Sequence, residues 1–201
     1  MKRKSLALVL IVAGICTLGV VGASAQSFFT LNYFANNGVS GAPDATVRVT
    51  NPGAADGDLL CAMVYVFDND QQMSECCGCL ETADGLRTFS VTKDLTSNPL
   101  TGVVSKNGDI KLLSAIPNGP VAVPCDPTGQ LNFEGELIPY YNLRAWATHI
   151  QNKVGTAYPI SETAFTDATL SEGELESLGN DCYFIERLGS GQGICSCGTG
   201  D

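Results

Sequence analysis

Eight cysteines constrain this chain more than any other feature: Cys61, Cys76, Cys77, Cys79, Cys125, Cys182, Cys195 and Cys197. A ninth, Cys16, sits in an N-terminal segment with the pattern of a removable signal. Lys2, Arg3 and Lys4 precede an unbroken apolar run at 6–22, and Ala23-Ser24-Ala25 then places small side chains where a signal peptidase cuts. Cleavage is predicted before Gln26, making residues 1–25 the signal. The apolar run is of marginal length for a membrane span. Ile15 stands before Cys16, where a lipoprotein signal has a small residue. The chain is therefore expected to be secreted, to the extracellular space, the periplasm or the cell surface, with no membrane span after cleavage. An even set of cysteines in that oxidising setting predicts a disulfide framework.

Spacing leaves the connectivity open, since eight cysteines allow on the order of 100 pairings. Adjacent Cys76 and Cys77 cannot bridge each other without distorting the peptide between them. Cys195 and Cys197, on one face of an extended segment, would lie about 6.5–7 Å apart at Cα, the limit for a bridge. We expect the cluster Cys76, Cys77 and Cys79 to pair with the late trio Cys182, Cys195 and Cys197, and Cys61 with Cys125. Loops of about 100 residues closed in this way stabilise by a few kcal/mol each.

Between the cysteines the dominant pattern is period-two alternation, the signature of strands. Strands are predicted at 28–34, 46–50, 59–67, 87–91, 109–116, 132–138 and 143–150. Segment 59–67 (LLCAMVYVF) is apolar at both parities, as a central strand covered on two faces must be. Asn107-Gly108, between Val103-Val104 and Ile110, predicts a hairpin turn. One helix is predicted late: Ser171 and Glu174 form a capping box, Leu175 and Leu178 follow, and Gly179 is positioned to end it. Gly189-Ser190-Gly191-Gln192-Gly193 is expected to be a flexible turn that lets Cys195 and Cys197 reach their partners. The fold class expected for residues 26–201 is all-β: one mainly antiparallel β-sandwich domain, immunoglobulin-like, with a short C-terminal helix and a disulfide-stapled tail over about 171–201. A barrel is the alternative.

Charge narrows the partners. With three basic residues lost in the leader, the chain's 11 Lys and Arg against 21 Asp and Glu become a balance of −13. A field of that sign repels phosphate backbones and anionic lipid headgroups, so no nucleic-acid partner is expected. Calcium is a possible cofactor. Asp56-Gly57-Asp58 and Asp68-Asn69-Asp70 flank the central strand, and Asp68 and Asp70 with Glu75 are the candidate ligands. Met73 replaces the tight-turn glycine of an EF-hand loop. The cysteine cluster would suit a soft metal, zinc or copper(I), if its thiols were free. Glu134 and Glu136 share a strand face, as paired carboxylates of a glycosidase would, but Phe133 and Leu137 opposite give ordinary apolar-in, polar-out alternation. His149, the one histidine, lacks a Gly-x-Ser-x-Gly nucleophile motif and is expected to be a hydrogen-bonded strand residue.

The runs CAMVYVFD (61–68), ECCGC (75–79), LRAWATHIQ (143–151) and GICSCG (193–198) together resemble a group of secreted, cysteine-rich bacterial proteins to which no activity is assigned. The resemblance covers most of the mature chain. It implies export and a cysteine-rich fold, and it carries over no catalytic residue. The role expected is a structural or interaction module, rather than an enzyme, that contacts a protein or a cell-surface or matrix component. A metal-binding protein is the alternative, and a hydrolase the third reading.

Overall fold

A computed structural model of the chain describes residues 27–53, 59–118, 124–129 and 138–200. The predicted leader, Asp56, Asp58, Glu134, Glu136 and all but the last residue of the strand expected at 132–138 lie outside these. In chain order the strands are β1 (Phe29–Phe34), β2 (Thr46–Thr50), β3 (Leu60–Asp68), β4 (Met73–Glu81), β5 (Leu86–Ser90), β6 (Gly108–Ala115), β7 (Arg144–Ile150), β8 (Ile160–Ala164), β9 (Thr166–Asp167) and β10 (Thr199–Gly200). A single π-helical turn, Val91–Leu95, follows β5, and one helix, α1 (Glu172–Arg187), precedes β10.

The strands form two antiparallel sheets, β4-β3-β6-β1-β9 and β10-β5-β2-β7-β8. β3 lies inside the first, paired with β4 and β6, and residues 60–66 are all buried. Its even-numbered side chains (Leu60, Ala62, Val64, Val66) enter the core between the sheets with Val47, Val49, Phe89 and Ala147. Its odd-numbered ones (Cys61, Met63, Tyr65) face a second apolar layer with Leu178, Cys182 and Ile185 of α1. The apolar run at both parities thus has its physical cause: the helix covers the outer face.

Both lateral gaps of the sandwich are crossed by the chain. β8 pairs with β7 in one sheet, and β9, one residue later, pairs with β1 in the other. On the opposite side the tail does the same. The Cys76 N–H donates to Gly193 O (2.9 Å) and the Cys195 N–H to Cys76 O (3.1 Å), after which β10 pairs with β5. Open sheet edges invite pairing with other chains, and here both gaps are bridged from within.

Two sequence expectations need correction, and one strand went unpredicted. Asn107-Gly108 does not turn a hairpin: Val103 and Val104 lie exposed in a loop, and both edges of β6 are taken, by β1 and β3. Gly108 is required instead by close approach, since a Cβ there would sit 2.0 Å from Phe67 O. Gly179 does not end α1, which runs eight residues further, to Arg187, so the helix is longer than expected. A Cβ at 179 would meet Thr128 O at 2.5 Å, so the glycine lets the helix lie against the 124–129 loop. β4 had no prediction, yet it is a fully formed edge strand carrying three cysteines. The N-terminus of α1 does follow the capping box, with Ser171 Oγ accepting the Glu174 N–H at 3.1 Å.

A test of the Gly179 packing follows. Overpacking costs about 1–3 kcal/mol against a helix-propensity gain of up to about 1 kcal/mol for Gly→Ala. Gly179→Ala is therefore expected to lower the thermal midpoint. Gly173→Ala, whose added Cβ meets nothing within 4 Å, should leave the midpoint unchanged or raise it. A Gly179→Ala midpoint at or above that of the parent would contradict the packing account.

Candidate functional site

Strand β4 organises the cysteines by alternation. Cys76 points to the outer layer and bridges Cys182 of α1, while Cys77 and Cys79 point into the core and bridge Cys195 and Cys197 of the tail. Cys61 bridges Cys125 on the outer face. The cluster therefore joins the late trio one to one and in chain order. Gly78 sits between the two inward cysteines because a Cβ there would lie 2.3 Å from Cys125 O. The turn leading to the tail is built by Gly189, Gly191 and Gly193, all at positive φ. Arg87 secures the last rung: Nη1 donates to Cys197 O (2.9 Å), Nη2 to Leu80 O (2.8 Å), and Nε pairs with Glu81 (2.6 Å).

The three candidate calcium ligands do not converge. Asp68 Oδ1 accepts the N–H groups of Asp70 and Gln72 (2.9 and 3.0 Å) and so stabilises the β3–β4 turn. Glu75 is fully buried, its Oε1 accepting the Asn98 N–H at 2.8 Å and its Oε2 without a partner. Burial pushes its carboxyl up to about 7, the Asn98 hydrogen bond opposing. Among the described residues, the one group of three or more ligand-type side chains with donor atoms mutually within 4.8 Å is Cys77, Cys79 and Cys197.

Asn98 carried no sequence signal, yet it links Glu75 to the tail. Its carbonyl accepts the Gly193 N–H (2.6 Å), and its Nδ2 donates to Gly191 O (2.7 Å) and Ile194 O (3.2 Å). Only a contact between segments far apart in sequence creates this role, so alternation and spacing could not find it.

His149 is fully buried, with Nε2 2.7 Å from Thr163 Oγ1 and its ring stacked on Tyr33 at 4.0 Å. Burial lowers its pKa, a Tyr33 backbone contact opposing. No carboxylate among the described residues bonds its other ring nitrogen, so the third member of a hydrolase triad is missing there.

At one end of the sandwich the 68–72 turn and the 101–107 loop frame an open groove of about 580 Å³. Its lining mixes Asp68, Asp70, Gln72 and Lys106 with Val103 and Val104, which are 71% and 44% exposed. A smaller groove of about 280 Å³ adjoins it between Gln72, Leu100 and Phe184 of α1, itself 58% exposed. No helix among the described residues is long and apolar enough to cross a membrane. Comparison with protein-family models, curated proteins and solved structures found no match to this chain.

Proposed function

We propose that this chain is an exported, disulfide-stabilised module, extracellular or envelope-associated, that binds a protein or a cell-surface or matrix component through its end groove. The observation that supports this reading is the pairing of a rigid frame with an apolar lip. Strands β3 and β6, which lead into the groove, belong to a sheet covered on both faces. The exposed valines at its rim sit among acidic and amide side chains. A preorganised concave surface of that mixed character lowers the ordering cost of binding. Four disulfides accord with residence in an oxidising compartment.

Site-specific cross-linking in the producing cells tests it. A photoreactive side chain at Val103 is expected to give a discrete adduct, on a chain beginning at Gln26 and recovered outside the cytoplasm. The same group at Val154, equally exposed but remote from the groove lining, should give none. No adduct at Val103, or equal labelling at both positions, overturns the groove as the contact surface.

A further inference from the structure

The two inward rungs, Cys77–Cys195 and Cys79–Cys197, lie side by side between β4 and the tail. We propose that, once reduced, their four sulfurs form a thiolate site for one Zn²⁺-like soft cation. The sulfurs of Cys77, Cys79 and Cys197 already lie within 4.8 Å of one another. In a tetrahedral site with Zn–S near 2.3 Å, neighbouring sulfurs sit about 3.8 Å apart. Cys195 Sγ is bonded to Cys77 but lies outside that trio, so its side chain turns toward the other three once the bridge opens.

Reduction leaves the backbone that carries the donors in place, because the tail is held by more than its bridges. Gly193 N–H bonds Asn98 O, Cys195 N–H bonds Cys76 O, Ser196 N–H bonds Asp94 O, and Arg87 holds the Cys197 carbonyl. Cys77, Cys79 and Cys195 are buried and Cys197 half-buried, so the site is dry with one opening. The Cys61–Cys125 and Cys76–Cys182 bridges have no third sulfur gathered around them among the described residues.

The chemistry balances. Each rung accepts two electrons and two protons from one dithiol, which closes to its own disulfide. The half-exposed Cys197 makes the outer rung the first attacked. The four thiols then give up as many as four protons as the cation binds, leaving a net charge of −2 on the filled site. Reclosure of the rungs by an oxidant requires release of the metal. The site is independent of the groove reading.

The test uses the full mature chain, oxidised or reduced with a phosphine that is then removed without air. Equilibrium dialysis against Zn²⁺ is expected to give one equivalent bound to the reduced chain and none to the oxidised chain. Cd²⁺ in its place should give a sulfur-to-metal charge-transfer band of four-thiolate intensity. The reduced double variant Cys79→Ser/Cys197→Ser should lose at least 100-fold in affinity, while Cys61→Ser/Cys125→Ser should still bind one equivalent. On re-oxidation with metal bound, Cys61–Cys125 and Cys76–Cys182 should reclose before the two inward rungs. No uptake by the reduced chain, uptake untouched by Cys79→Ser/Cys197→Ser, or the same affinity in denaturing urea would each overturn the proposal.

Discussion

Removing the Cys61–Cys125 bridge by a double alanine substitution is expected to cost about 4 kcal/mol of stability in urea unfolding, more than the loss of any other bridge. The reason is nesting. Cys77–Cys195 and Cys79–Cys197 are two residues apart at each end, so with either closed, the other shuts a loop of only about five residues. With those rungs in place Cys76–Cys182 closes roughly 15 residues, while Cys61–Cys125 still closes the 64 residues between its own ends, which no other bridge shortens. Loop-closure entropy then ranks the losses at about 4, 3 and 2 kcal/mol for Cys61/Cys125, Cys76/Cys182 and Cys79/Cys197. Sequence separation alone gives the opposite order, since Cys79–Cys197 spans 118 residues and Cys61–Cys125 only 64. A Cys79→Ala/Cys197→Ala loss equal to or above that of Cys61→Ala/Cys125→Ala would contradict the nested arrangement.

The second large effect is a pH slope. The Glu75 carboxyl is pushed up by burial to about 7 in the native chain, against an ordinary 4.5. Between those values the folded state holds a proton that the unfolded chain has released. Its contribution is therefore fully favourable below about pH 4.5, declines as pH rises through 7, and is flat above. The loss is on the order of 2 to 3 kcal/mol. Glu75→Gln keeps an acceptor for the Asn98 N–H and removes the ionisation. The difference in stability between Glu75→Gln and the parent should grow by that amount from pH 5 to pH 8. Glu81 and Glu186, also raised by burial, slope the same way as Glu75, and His149, lowered by burial, slopes the other way. All three are common to both proteins and cancel in the difference. A difference that does not change with pH would show that Glu75 does not hold its proton in the folded chain.

Much of the frame was legible in the sequence because it rests on local chemistry. Val47 and Val49 alternate with polar neighbours in β2, residues 60–66 are apolar at both parities, and Ser171 with Glu174 spells out a helix start. Pairing between the cysteine groups was an expectation that geometry only narrowed, by disfavouring a bridge between adjacent Cys76 and Cys77. What stayed hidden depends on distant partners. Gly78, Gly108 and Gly179 suit turns or stops equally well, and only Cys125 O, Phe67 O and Thr128 O make them sites of close approach. β4 carried no hydrophobic alternation because α1 covers one of its faces and the tail the other. Glu75 is an acidic residue in a cysteine-rich run until Asn98 and the tail enclose it.

The account rests on four internal bridges, three of which pin helix and tail to one edge strand. The most direct measurement is a free-thiol count on the mature protein, with non-reducing peptide mapping by fragmentation that separates Cys76 from Cys77. The result expected is no free thiol and the bridges Cys61–Cys125, Cys76–Cys182, Cys77–Cys195 and Cys79–Cys197. A free thiol among these eight, or a crossed pairing such as Cys76 with Cys195, would contradict it.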